Sequence, residues 1–225
     1  MSSSAAEHPS SSRRPPRKRD SVAFIREFIR HPGRIGAIAP SGRALAAAMV
    51  RGIDFNNAHA VIEFGPGTGV FTKAMLDAMP YDWLDPVQTR RSGNGKGRFI
   101  AIEFNDKMAA AVQKLYPEAK VYNDDAGNVE AICRKEGIEP GTVDAIISGL
   151  AWTSIPEQPR KRILEATHRV LKPGGEFRTF TYQASMLVRS AWVFRKMLRQ
   201  TFKDVQVGRV VWRNMPPAFV YRCIK

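Results

Sequence analysis

Apolar positions along this chain follow two periods that alternate from one end to the other. Val22, Ile25 and Ile29, with Phe24 and Phe28 beside them, recur at helical spacing while Arg26 and Arg30 take other positions, which predicts a short amphipathic helix ended by Pro32 and Gly33. A second helix is expected over 44–50 with Ser41 as its cap, and a strand over 60–64. Helices and strands then trade places: helix 71–79, strand 98–103, helix 106–115, strand 119–122, helix 128–135, strand 144–148 and helix 158–171. Lys172, Pro173, Gly174 and Gly175 form a turn into a strand over 176–182. This alternation implies an α/β fold with a mostly parallel sheet and helices on both faces, because parallel neighbours need a crossover between them. Past a helix over 185–200 the pattern changes to two strands, 205–211 and 219–224, joined by a short connection, so an antiparallel C-terminal pair closes the sheet.

Length and composition narrow the setting. With 225 residues, 44% of them apolar, the chain suits one compact domain over 21–225, and it shows no internal repeat. No apolar run is long enough to cross a bilayer, and residues 1–20, rich in Ser, Pro and Arg, lack the apolar centre of a signal peptide. They read as a disordered basic tail, and the protein is expected to be cytoplasmic, either soluble or peripheral on a membrane. Cys133 and Cys223 have no partners at metal-ligand spacing, so neither a metal site nor a disulfide framework is expected. A net charge of +14 draws the chain toward a polyanion, either nucleic acid or an anionic membrane surface. Residues 82–97, with Arg90, Arg91 and Lys96 among Gly and Ser, look like a solvated surface insertion, with a nucleic-acid contact as the alternative.

The chemistry concentrates at the carboxyl ends of the expected strands. Val61, Ile62, Glu63 and Phe64 run into Gly65, Pro66, Gly67, Thr68 and Gly69, where alternate glycines let the backbone turn sharply and let a ligand approach without meeting a Cβ. Glu103 ends the next strand, where a carboxylate accepts hydrogen bonds from both ribose hydroxyls of an adenosine. A dinucleotide pyrophosphate would be repelled by Glu63. Asp125 and the Ala126 amide suit an adenine contact, with Asp124 as a competitor and helix capping as the alternative for either acid. Ser148, Gly149, Leu150, Ala151 and Trp152 follow the fourth strand and should border the reacting group. Trp152 either packs over a cationic head group or is buried in the core. Tyr182 ends the fifth strand, as a group orienting an amine or accepting its proton or as an ordinary sheet-edge tyrosine. The four histidines occupy structural or solvated positions.

With these residues in hand, the chain resembles the bacterial phospholipid N-methyltransferases, from about Phe24 to the C-terminus. The resemblance is carried by Gly36, Ala37, Ile38, Ala39, Pro40 and Ser41; by the Glu63 to Gly69 loop; by Ser148, Gly149 and Leu150; and by Asn214, Met215, Pro216, Pro217, Ala218, Phe219, Val220 and Tyr221. It implies a Rossmann-like class I methyltransferase with a seven-stranded sheet and S-adenosyl-L-methionine as cofactor. Pro40, Ser41, Glu63, Gly65, Gly67, Gly69, Glu103, Asp125, Ala126, Ser148 and Gly149 would hold that cofactor, with Leu150 and Trp152 toward the substrate. The implied reaction methylates a membrane-lipid amine, phosphatidylethanolamine toward phosphatidylcholine, or ornithine lipid. Ala151 departs from the proline that many relatives carry after Ser-Gly-Leu, and the insertion before Arg98 is unusual.

A membrane substrate agrees with the charge pattern. Phe24, Arg26, Phe28, Arg30 and Arg34 form one candidate membrane contact. Met186, Leu187, Trp192, Val193, Phe194, Met197 and Leu198, interleaved with Arg189, Arg195, Lys196 and Arg199, form another. Packing on the sheet is the alternative for each helix. Two other functions use the same features: an RNA adenine N-methyltransferase, and a non-catalytic S-adenosylmethionine-binding protein at the membrane. Adenine amino methyltransferases usually carry Asn or Asp, Pro, Pro and an aromatic where this chain has Ser148 to Trp152, so nucleic acid is the less favoured partner.

Overall fold

The computed structural model describes residues 42–80, 83 and 97–225. The expected tail, the N-terminal amphipathic helix with Phe24, Arg26, Phe28, Arg30 and Arg34, the cofactor candidates Pro40 and Ser41, and nearly all of the 82–97 insertion lie outside the described residues.

Among the described residues, six α-helices and seven strands follow in the order α1 (Arg43–Val50), β1 (Ala60–Phe64), α2 (Val70–Ala78), β2 (Arg98–Glu103), α3 (Asp106–Leu115), β3 (Lys120–Asn123), α4 (Val129–Lys135), β4 (Val143–Ser148), α5 (Glu157–Val170), β5 (Leu171–Tyr182), α6 (Arg189–Thr201), β6 (Asp204–Val207) and β7 (Ala218–Ile224). They build one sheet in the order β3-β2-β1-β4-β5-β7-β6. All pairs from β3 to β5 are parallel, and β7 runs antiparallel to both β5 and β6. The chain reverses its winding between β1 and β4, and in open α/β sheets ligands bind in the crevice at such a switch, beyond the carboxyl ends of the strands.

β1 is buried along its whole length, as a strand covered on both faces must be. Its alternate residues serve two cores: Ile62 and Phe64 pack with α4, α5 and α6, and Val61 packs with α1 and α2. Glu63 shares the Val61 side, which puts a carboxyl inside the core that α1 and α2 cover. The apolar stripe of α6 goes inward as Ala191, Phe194 and Leu198, so the main face of that helix is packing surface.

Several expected boundaries moved for identifiable reasons. Gly42, in an extended conformation, occupies the cap position of α1 instead of Ser41, and the helix start is tied by the Gly42 N–H donating to the buried Asn214 Oδ1 at 2.6 Å. This bond ties the start of α1 to Asn214, one of the residues that carried the family resemblance. The turn at 172–175 survives as an irregularity inside a longer strand, where β4 and β5 pair Val143 with Leu171 but Ala145 with Glu176. The helix expected over 185–200 is divided: a 3-10 segment, Gln183–Leu187, precedes α6, and Val188 between them is extended. The strand expected over 205–211 stops at Val207, and Val211 keeps one isolated bridge to Ala218.

Candidate active site

The turn after β1 is a floor laced from three strands. Gly65, Gly67 and Gly69 have φ of 65°, 54° and 78°, a region that disfavours residues with a side chain. The Gly65 N–H donates to the Ile102 carbonyl at 2.8 Å, and the Gly149 N–H donates to the Phe64 carbonyl at 2.7 Å, so β2, β1 and β4 end at one level. Space is as restrictive as torsion. A Cβ on Gly65 would lie 2.8 Å from Leu150 Cδ2, and one on Gly149 would lie 2.5 Å from the Gly65 carbonyl oxygen.

Two carboxyls face this floor in different states. Glu63 is fully buried; its Oε2 accepts from Thr72 Oγ1 at 2.7 Å, and its Oε1 is buried without a partner among the described residues. Burial raises its pKa from 4.5 to about 8, against the opposing Thr72 hydrogen bond and with a smaller push from the negative Glu103. A carboxyl with one satisfied oxygen and one empty one is a receptor for a donor, and a cationic donor would restore its charge. Glu103 is instead held open from below: its Oε2 accepts from the Gly67 amide at 3.1 Å and its Oε1 from the Asn105 amide at 3.0 Å. Each oxygen keeps lone-pair capacity, which suits a vicinal diol.

The end of β3 joins the same floor, because the Asp124 N–H donates to the Glu103 carbonyl at 3.1 Å. Asp125 Oδ1 caps a 3-10 turn, Ala126–Asn128, by accepting from the Gly127 amide at 2.7 Å, while its Oδ2 meets Arg162 Nη2 at 2.6 Å. Asp124 Oδ1 accepts from the Asp125 amide and from Asn128 Nδ2, both at 2.7 Å. Asp125 therefore performs the capping that was its alternative role, while Asp124 braces the turn through the Asp125 amide and the Asn128 side chain.

The chain matches the family model described as "Methyltransferase domain" over residues 62–179. The chain belongs to this methyltransferase domain family. It is 28% identical over 208 residues to an ornithine lipid N-methyltransferase of Singulisphaera acidiphila, covering 91% of this chain and 96% of that protein. Its fold superimposes on a SAM dependent methyltransferase from Aquifex aeolicus with a TM-score of 0.58 at 17% identity, covering 90% of this chain and 97% of the other. A structure of PigF with SAH gives a TM-score of 0.56 at 18% identity, covering 89% and 58% of the two chains. The methyltransferase uses S-adenosyl-L-methionine, and the residues fit that group: an empty buried carboxyl oxygen for an ammonium, a carboxylate open to a ribose, and glycines where a Cβ would intrude.

One acceptor-side expectation is corrected and another is narrowed. Trp152 is not available to a head group: it is 2% exposed, stacks on Phe194 with centroids 5.0 Å apart, and meets Phe177 edge-on at 5.8 Å. Its ring is core packing of the α6 side, and its Nε1 donates to Ser148 Oγ at 3.0 Å. That hydroxyl also accepts from the Leu150 amide at 3.3 Å, so the Ser148 side chain braces the turn, and its backbone is what remains for a ligand. Tyr182 lies in the α1 and α2 core, edge-on to Phe180, and burial pushes its pKa up to about 12. A phenol that stays neutral at physiological pH orients by hydrogen bonding but does not serve as an ionised base.

Beside the candidate site stands an aromatic residue that the sequence reading passed over. Phe104, next to Glu103, is 79% exposed where the strand has ended and no core remains to cover it. An aromatic ring beside the ribose-type carboxylate offers a stacking face to a purine. The signal was its position directly after the acid. Leu187, Val188, Trp192 and Met215 are exposed around the same carboxyl rim, and the Gln183 N–H donates to the Pro217 carbonyl at 2.8 Å, joining the segment before α6 to the loop before β7.

Proposed function

We propose that this methyltransferase methylates the amine of a membrane-lipid head group at the cytoplasmic face of a membrane, with ornithine lipid ahead of phosphatidylethanolamine as acceptor. The observation that carries this reading is the end-to-end similarity to an ornithine lipid N-methyltransferase, which leaves little of either chain unmatched. It is supported by the exposed Leu187, Val188, Trp192 and Met215 at the carboxyl rim, and by the excess of basic residues that favours an anionic interface. No helix among the described residues is long and apolar enough to cross a membrane, so contact would be made by this rim and by the basic N-terminal region.

S-adenosylmethionine supplies a methyl group already activated by its sulfonium. The protein has to position and to exclude water. Glu63 Oε1 would accept from the cofactor's ammonium, Glu103 from its ribose, and Phe104 with Asp125 and Ala126 would flank its adenine. Leu150, held over Gly65, would close the floor beneath the reacting atoms. The lipid amine has an ordinary pKa of about 10, so only on the order of one molecule in a thousand is neutral at pH 7, and it must lose its proton before attack. Tyr182, neutral itself, would orient that amine through its hydroxyl, and the proton would leave to water at the open rim.

Incubation of the protein with methyl-labelled cofactor and liposomes of ornithine lipid or phosphatidylethanolamine, or with total RNA, tests the proposal. Label should enter the lipid fraction. Label found in RNA alone would replace this reading with a nucleic-acid methyltransferase, and binding of cofactor with no transfer to any acceptor would leave a binding protein.

A further inference from the structure

A second cleft lies away from the glycine floor. It runs between α1 and the β6–β7 edge, has a volume of about 720 Å³, and extends from Trp212 near the carboxyl rim to Arg222. Its α1 wall is made of alanines, Ala44, Ala47 and Ala48, which keep it open where larger side chains would fill it. Its charge is of one sign: Arg51, Arg178, Arg209, Arg213 and Arg222 line it, and no carboxylate among the described residues does.

These arginines divide into two sets. Arg178 is fully used: its Nε and Nη2 bind Glu176 Oε2 at 2.8 and 2.6 Å, and its Nη1 donates to the carbonyls of Met49 and Arg51 at 3.0 and 2.7 Å, closing the end of α1. Arg222 also pairs with Glu176, yet its Nε is buried without an acceptor among the described residues. One carboxylate is thus shared between two guanidiniums. Arg51, Arg209 and Arg213, all exposed, form no ion pair with any described carboxylate. Guanidinium groups that line a concave surface match the oxygens of a phosphate ester.

The surroundings choose the source of that phosphate. Trp212 at the lip is 69% exposed and Val207 is 44% exposed, apolar groups that are costly in water and favourable at a lipid interface. The chain's own N-terminal region does not suit the cleft, since it carries Arg13, Arg14, Arg17, Lys18 and Arg19 and adds Arg26, Arg30 and Arg34. We propose that this cleft is a second, non-catalytic site that takes the phosphate of an anionic phospholipid, with Trp212 and Val207 entering the interface. It would hold the protein on an acidic bilayer whichever amine is methylated, so it stands or falls separately from the acceptor.

The test is sedimentation of the full chain with phosphatidylcholine vesicles containing phosphatidylglycerol, which offer phosphate but no primary amine. Arg209→Ala with Arg213→Ala should lower partitioning about 25-fold, about fivefold for each arginine. Lys107→Ala with Lys161→Ala, on exposed helix positions outside the cleft, should lower it less than threefold. Trp212→Ala should weaken binding with Arg209 and Arg213 intact, and thermal unfolding should be unchanged in every variant. Equal losses in the two double variants would reduce the effect to overall charge and overturn the proposal. So would displacement from vesicles by millimolar glycerol 3-phosphate, which would make the ligand a soluble ester, or loss of RNA affinity with vesicle affinity retained.

Discussion

The two ends of the carboxyl rim are built on opposite principles. Around β1, β2 and β4 every strand end is tied to its neighbour, Gly65 and Gly149 leave no room for a Cβ, and Glu63 Oε1 is buried without a partner among the described residues. Around β5, β7 and α6 the same rim bears exposed Leu187, Val188, Trp192 and Met215 over a well-packed interior. The contrast is sharpest between two tryptophans: Trp152 is stacked inside on Phe194, while Trp192, on the helix that carries Phe194, is 55% exposed with Arg195 over its ring. The first end is specialised to hold one small molecule in one geometry. The second leaves large apolar side chains exposed to its surroundings.

That comparison can be broken at several points. Trp152→Ala should cost about 3–5 kcal/mol of stability, read by denaturant unfolding, because it empties a stacked core position; a loss below about 1 kcal/mol would place the ring outside the core. Glu63→Gln keeps an acceptor for Thr72 but removes the charge opposite the cofactor's ammonium. Cofactor affinity should fall about 100-fold by calorimetry, and unaltered affinity would remove Glu63 from the site.

The pH dependence of stability comes next. The folded carboxyl of Glu63 binds its proton more tightly than the unfolded one, with values of about 8 and 4.5. Between those values the folded state holds more protons, so stability of the cofactor-free protein should fall as pH rises, by up to about 1.4 kcal/mol per unit from this group, and level off above about 8. Glu63→Gln should lack that slope in parallel unfolding experiments, and saturating cofactor should reduce it in the wild type. The smallest effect is expected at the exposed ring: Trp192→Ala should leave stability within about 0.5 kcal/mol while reducing binding to anionic vesicles. A loss rivalling that of Trp152→Ala would erase the distinction between the two ends.

Much of this was legible in the chain. The bounds of β1, β2 and α3 were read correctly from periodicity, because continuous apolar runs and amphipathic stretches dominate there. The residues of the glycine loop, Glu103 and the 124–126 turn were located, since each follows directly from where a strand must end. The roles of Trp152 and Trp192 were not separable, because both stand among mixed apolar and polar neighbours and only the sheet says which ring faces inward. Phe104 was overlooked because one exposed aromatic carries no periodic signal. The arginine cleft escaped for a related reason: its residues come from α1, β5, the β6–β7 segment and β7, which no local window brings together.

The sequence by itself determined the α/β order, the glycine turn and the acid near the carboxyl end of each of the first two strands, since these depend on backbone torsions and on patterns a few residues long. Tertiary structure decided what those residues experience. Burial makes Glu63 a carboxyl with a pKa of about 8, and packing assigns Trp152 to the core and Tyr182 to a neutral phenol. The antiparallel return of β7 sets Arg222 beside Arg178 across the strand pair. Desolvation and long-range juxtaposition depend on the whole packed chain, and no stretch of sequence contains them.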